Sequence, residues 1–187
     1  MVKTFSSTLL TKQKVPDAGK KIQIFEGMAK TTTSPEVVIE QVPDGAPLPI
    51  HLLLEADPDE SRVRNYISFS LVLAAITEGK IIGILAMTPE TREKAEIRNL
   101  AVAATYRGKG IAQLLMQEAC ERAKRLGYSI LQINTGNSST RQLKIYQQFG
   151  FELSDIRWNY FVQHYPTKIV EDGIECRHQL VLTKNLC

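Results

Sequence analysis

Arg107-Gly108-Lys109-Gly110-Ile111-Ala112 places two glycines around a lysine at the start of a strong helix pattern. Glycine costs a helix interior about 1 kcal/mol against alanine, so two of them here mean that bare backbone is wanted. An apolar strand pattern ends near Ala103, the chain turns through these residues, and a helix begins at once. The first N–H groups of a helix have no intrahelical partners and lie at the positive end of its dipole. Glycines let a phosphate approach them, and Arg107 and Lys109 add positive charge, which together describe an anion cradle suited to a pyrophosphate. A nucleoside triphosphate site would want GxxxxGK followed by Ser or Thr, which this stretch is not. A dinucleotide site would want GxGxxG, and GKGIAQ lacks the third glycine. Coenzyme A needs only a short turn after a sheet strand. The plain alternative is a strand-to-helix turn that uses glycines for tightness.

The surrounding elements are readable from periodicity. EVVIEQV (36–42) is a short strand, and PLPIHLLLEADP and DESRVRNYI are short helical turns, the second capped by Asp57 or Asp59. SFSLVLAAI and KIIGILAMT form a hairpin about Glu78-Gly79, and KAEIRNLAVA is a third strand of the same sheet. Ile111, Leu114, Leu115, Ala119, Ala123 and Leu126 make the apolar stripe of a helix stopped by Gly127. YSILQIN is a fourth strand, and a second long helix runs from a Ser138 or Ser139 cap to Gly150. FELSDIRWNYFVQHY and IECRHQLVLT read as one long closing hairpin turning at Glu171-Asp172-Gly173. This order predicts a mixed α/β sheet with helices on both faces. Residues 1–34, rich in Lys, Thr and Ser with one strand-like piece, KIQIF, read as an arm or extra edge strand ahead of a domain at 35–187.

A chain of 187 residues can bury about 70% of its unfolded surface without disulfides or metals. A net charge of +3 by itself neither argues for nor excludes a nucleic-acid partner, but such a partner would need a basic face with interleaved aromatics, and the charge is too balanced for one. No stretch approaches the ~20 apolar residues of a membrane span, and none has the form of a signal peptide. Three cysteines, with no CxxC pair, fit a reducing, cytoplasmic setting, with Cys120 buried and inert. His51, His164 and His178 have no metal-ligand spacing. Trp158, Tyr160 and Tyr165 fit either a partner surface or the inner face of the sheet.

LAVAATYRGKGIAQLLM resembles the acetyl-CoA signature of the Gcn5-related N-acetyltransferases, Arg/Gln-x-x-Gly-x-Gly/Ala. The order of elements from Glu36 to Lys184 is similar to that family throughout. IYQQFGF resembles its second helix ending, and the closing segment resembles a bacterial branch of unassigned substrate. The resemblance implies a central, mostly antiparallel sheet of about six to seven strands, with acetyl-CoA as co-substrate, no metal, and a homodimer or larger homo-oligomer. It places the cofactor on Arg107, Gly108, Lys109, Gly110, Ile111 and Ala112, and on the main chain of Leu100, Ala101 and Val102, where a bulge splays the strand. The phase slip in EIRNLAV is what a bulge would produce, although a doubly buried strand reads the same way.

Acetyl transfer to an amine needs a proton acceptor, a polarised carbonyl and a proton for the departing thiolate. By resemblance Glu96 is the base, acting through water, and Tyr146 protonates the sulfur. The plain alternatives are a surface glutamate paired with Lys94 or Arg98, and a core aromatic beside Phe149 and Phe151. The family's second helix often starts Asn-x-x-Ala, where this chain has Ser139 and Gln142. Asn134, Asn137 or Ser138 stands in for the asparagine that contacts the pantetheine arm. The expected activity is N-acetyl transfer by direct attack in a ternary complex. The acceptor is a polyamine, amino sugar, amino acid, or protein terminus or lysine, and Glu55, Asp57, Asp59 and Glu60 are available to attract a cationic amine. The rival is a non-catalytic CoA-binding sensor or assembly module, which would use the same cradle.

Overall fold

Continuous apolar runs rather than strict alternation mark the middle of the chain, and such runs need cover on both faces. The structure, a computed structural model, describes residues 36–186. The arm and the KIQIF strand expected within residues 1–34 lie outside the described residues, as does Cys187. Strands β1 (Val38–Gln41), β2 (Leu71–Thr77), β3 (Lys80–Pro89), β4 (Lys94–Val102), β5 (Ile130–Gly136), β6 (Glu152–Arg157) and β9 (Gln179–Asn185) form one sheet. Its order is β1-β2-β3-β4-β5-β9-β6, antiparallel except between β4 and β5. Helices α1 (Ile50–Leu53), α2 (Glu60–Ile67), α3 (Ile111–Arg125), α4 (Thr140–Gln148) and α5 (Tyr160–His164) complete the domain with a two-stranded hairpin, β7 (Val170–Glu171) and β8 (Ile174–Glu175).

The two faces carry separate cores. On one, α3 lays Ile111, Leu115, Met116, Ala119 and Ala123 against Leu73, Leu85, Ile97 and Ile133, joined by Tyr146 and Phe151. On the other, Leu52, Leu53, Val63 and Tyr66 from α1 and α2 cover Val72, Ile84, Ala86 and Ala101. Leu114 and Leu126, assigned to the apolar stripe of α3, are instead exposed. Local chemistry sets the turns. Glu78 and Gly79 both have positive φ (49° and 71°), as the two-residue loop between Thr77 and Lys80 requires. Asp59, not Asp57, caps α2 by accepting the Arg62 N–H at 3.1 Å.

The closing segment differs from the expected hairpin. β6 and β9 do pair, but α5 and the β7–β8 hairpin interrupt the connection. Asn159, at φ 55°, breaks the strand at its end, and Tyr160 then stacks on His164 one helical turn later, at 4.2 Å. The predicted Glu171-Asp172-Gly173 turn closes only the small hairpin, with Asp172 and Gly173 at φ 49° and 80°. β9 enters between β5 and β6, leaving β6 at the edge.

Candidate active site

Two neighbouring strands that part company create the site. β4 and β5 pair in parallel only from Lys94↔Ile130 to Ile97↔Ile133. Beyond that point β5 continues along β9 as far as Gly136↔Gln179, while β4 continues along β3 as far as Val102↔Gly83. A bulge starts the divergence: Ala86 pairs with Asn99 and Met87 with Ile97, so Arg98 has no opposite residue. The Ala103 N–H bonds Ile82 on β3 at 2.9 Å, so alternation turns the main-chain groups of Leu100 and Val102 toward the gap and those of Ala101 toward β3. A cleft of about 920 Å³ fills this wedge, running from the start of α3 to α2 and α5.

The glycine turn forms one end of the cleft. Gly108 and Gly110 take φ 76° and 81°, in the left-handed region, and a Cβ on Gly108 would meet nothing within 4 Å. Gly110 is the N-cap of α3, and the first bond of the helix runs from the Leu114 N–H to the Gly110 carbonyl at 3.1 Å. The N–H groups of Ile111, Ala112 and Gln113 therefore precede the helical ladder, at the positive end of the dipole. Open space over bare backbone with unpaired donors is what a diphosphate requires, so the residues present fit coenzyme A. The Lys109 ammonium rests 4.9 Å from the Tyr106 ring centre. Arg107 is committed elsewhere: its Nε donates to the Val102 carbonyl at 2.9 Å, and its guanidinium pairs with Glu55.

Midway along the cleft lies Glu96, buried at 4% exposure. Its Oε1 accepts from Asn134 Nδ2 at 2.8 Å, and Asn134 Oδ1 accepts from the buried Gln132 at 3.2 Å. Arg98 Nε stands 3.6 Å from the other carboxylate oxygen. Desolvation outweighs that guanidinium and raises the carboxyl above the ordinary glutamate value, with the nearby Glu90 carboxylate adding to the rise. Across the cleft, Tyr146 projects from α4, its ring edge-on to Phe151 at 6.3 Å. Burial pushes its phenol up to about 12, so it keeps its proton at neutral pH.

A model of the acetyltransferase (GNAT) family matches residues 42–151. The chain is 36% identical over 135 residues to the uncharacterized N-acetyltransferase YvbK of Bacillus subtilis, covering 72% of this chain and 87% of that one. A GNAT family acetyltransferase from Elizabethkingia anophelis, solved with acetyl-CoA bound, superposes with TM-score 0.77 at 39% identity, over 80% of this chain and 97% of that one. The IAA acetyltransferase of Bacillus cereus gives 0.76 at 41% identity, over 80% and 99%. The chain belongs to the GNAT family of acetyltransferases. It is an acyltransferase dependent on acetyl-CoA.

Against that family frame, several expected residues have other employment. Asn137 donates to the Glu175 carbonyl at 3.0 Å, and its Oδ1 accepts from the Arg177 and His178 N–H groups at 2.7 and 2.8 Å. Ser138 is buried and donates to Glu171 at 2.7 Å, as does Ser139. These residues fasten the β7–β8 hairpin to the start of α4, and neither Asn137 nor Ser138 lines the cleft. Asn134 and Gln142 do line it. Of the four acids expected to attract a cation, Glu55 pairs with Arg107, Glu60 with Arg64, and Asp59 caps α2. Asp57 lines the cleft and accepts the Asp59 N–H at 3.1 Å, with no cation within 4.0 Å among the described residues.

Sequence reasoning missed the GNAT chain's Asn99, Tyr66 and Arg62. Asn99, 2% exposed, donates to the Leu53 carbonyl and to the Tyr66 hydroxyl, both at 2.9 Å, tying the bulge to α1 and α2. Its Oδ1 has no partner among the described residues. A buried asparagine at a slip in strand phase was the available signal. Arg62 gave none, because its position depends on how α2 faces α5.

Proposed function

We propose that this enzyme transfers an acetyl group from acetyl-CoA to a primary amine by direct attack within a ternary complex. The cradle at Gly108 to Ala112 would hold the diphosphate, and the gap-facing main chain of Leu100 would hold the thioester arm. When bound, acetyl-CoA supplies an acyl group already activated as a thioester. Glu96 receives the amine's proton, directly or through one water, and Asn134 orients the carboxylate through Oε1. Because burial raises its proton affinity, Glu96 is a stronger base than an exposed glutamate once ionised. Tyr146 donates a hydrogen bond to the departing sulfur. With a value of about 12 the phenol stays protonated until needed, and burial that raises the phenol raises a neighbouring thiolate's proton affinity too.

One observation carries this reading over a CoA-binding sensor: a buried carboxylate and a buried phenol face the same splayed wedge whose end is the amide cradle. A sensor would need the cradle but not the pair. The free, buried Cys120 and Cys176 support a reducing, cytoplasmic setting. The test follows free thiol released from acetyl-CoA across an amine panel. Wild type should release thiol with at least one amine, and Glu96→Gln and Tyr146→Phe should slow release without weakening CoA binding. Tight CoA binding with no turnover on any amine would favour the sensor.

A further inference from the structure

The far end of the cleft, where the acceptor must enter if the acetyltransfer reading holds, carries guanidinium groups as well as carboxylates and so is not a simple cation site. Asp57 lines it with its Oδ1 accepting the Asp59 N–H at 3.1 Å, and Glu90 lies beside Glu96. Facing these are three guanidinium groups, those of Arg62, Arg98 and Arg157. Arg98 is shared between Glu96 at 3.6 Å and Glu90 at 3.9 Å. Arg62 and Arg157 have no carboxylate within 4.0 Å among the described residues. The field of Arg157 reaches Glu96, and those of Arg62 and Arg98 reach Asp57, so all five groups share one space.

Arg62 is held without being neutralised. Its Nη2 donates to the Tyr160 hydroxyl at 2.9 Å, and its guanidinium lies 5.3 Å from the Tyr165 ring centre. Arg157 donates to the Gln179 amide at 2.9 Å. A planar guanidinium positioned by neutral partners keeps donors and charge for a carboxylate. A polyamine or amino sugar would leave the Arg62 guanidinium without a counter-ion in contact. A molecule carrying both an amine and a carboxylate would be matched at both ends. Between the charged groups the wall is aromatic, with Tyr66, Phe69, Phe161 and Tyr165 lining it, which suits an apolar body.

We propose that the acceptor is an amino-carboxylate with an apolar or aromatic body, its amine at Glu96 and its carboxylate read by Arg62 with support from Arg157. The inference rests on the acetyltransfer reading, and it makes Arg62 the residue that sets acceptor specificity. The β6–β9 connection is central to it, because the turn of α5 brings Tyr160 and Tyr165 to Arg62.

Calorimetry on the full chain saturated with CoA tests it, using N-acetyl-L-phenylalanine and its neutral carboxamide, N-acetyl-L-phenylalaninamide. Wild type should bind the carboxylate about tenfold or more tightly than the amide, the size of one charge-assisted contact. Arg62→Gln should bring that ratio close to one while leaving the amide's affinity within about twofold. A merely structural Arg62 would weaken both compounds equally, so the amide also reports that the variant is folded. An amide that binds as well as the carboxylate overturns the proposal, as does a preference that survives in both Arg62→Gln and Arg157→Gln, or failure of both compounds to bind. Thiol release separates the two readings. Faster release with spermidine or phenethylamine than with L-phenylalanine overturns this inference and leaves acetyltransfer standing. Carboxylate-selective binding with no release from any amine overturns the acetyltransfer reading and, with it, the assignment of the bound carboxylate as an acceptor.

Discussion

The two ends of the cleft are built by different means. The cradle end is backbone: left-handed glycines at φ 76° and 81°, unpaired N–H groups, and a helix dipole. The end proposed for the acceptor is side chain: Asp57 and Arg62 from the α1–α2 region, Arg98 from the bulge, Tyr160 and Tyr165 from around α5. Backbone donors in a turn persist under most substitutions that preserve the turn, which suits a donor that never changes. Side chains collected from distant segments can be exchanged one at a time, which suits an acceptor that varies between enzymes. Glu96 sits between the two, on the strand shared by both.

That division predicts that substitutions at the centre stop chemistry, those at the cradle weaken the donor for every acceptor alike, and those at the far end change acceptor choice alone. The largest effect belongs to Glu96→Gln, which should lower kcat by roughly 10²- to 10⁴-fold with CoA affinity unchanged by calorimetry. Gly110→Val should come next. A branched side chain at φ 81° is strained by about 1–2 kcal/mol, and CoA affinity should fall about tenfold or more through strain and lost amide contacts. The loss should be the same whichever acceptor is present. Tyr146→Phe should reduce kcat by about tenfold, the share of one hydrogen bond to developing charge, with little change in KM for acetyl-CoA.

A smaller effect reports on Glu96 itself. Burial raises its carboxyl above the ordinary 4.5, so the folded protein holds this proton more tightly than the unfolded chain does. Stability from this group is therefore greatest below pH 4.5 and is lost as pH rises from there through the raised folded value. Glu96→Gln removes the buried charge, and its melting temperature should exceed that of wild type at neutral pH, with the gap closing toward pH 4. In wild type, kcat/KM should rise with pH along a limb displaced above the usual carboxylate range, and Glu96→Gln should lack that limb. Equal melting at pH 7 would mean that Arg98 and Asn134 fully compensate the burial.

What was legible in the sequence follows the same division. Arg107 to Ala112 could be read because glycines before a helix announce their backbone, and Glu78-Gly79 and Asp172-Gly173 could be read for the same reason. The phase slip at Leu100 to Val102 was visible as broken alternation, but the bulge itself lies two residues earlier, at Arg98. Partners set by topology were hidden. That Asn134 reaches Glu96 depends on β5 lying parallel beside β4, and that Ser138 and Asn137 serve the β7–β8 hairpin depends on where β9 enters the sheet. Arg107 looked like a phosphate ligand because its charge stood next to the glycines, yet Glu55, 52 residues earlier, claims it. The helical turn of α5 was masked by alternation that ran on through Trp158 until Asn159 broke it.

The most direct test of the account is calorimetry of acetyl-CoA against S-acetylpantetheine, which carries the same thioester arm without the diphosphate and the phosphoadenosine beyond it. A backbone cradle at Gly108 to Ala112 predicts one bound equivalent of acetyl-CoA, about a hundredfold tighter than the truncated donor, as two phosphates on a helix N-terminus should give. Equal affinity for the two would contradict it, because the diphosphate would then be held by nothing in this turn.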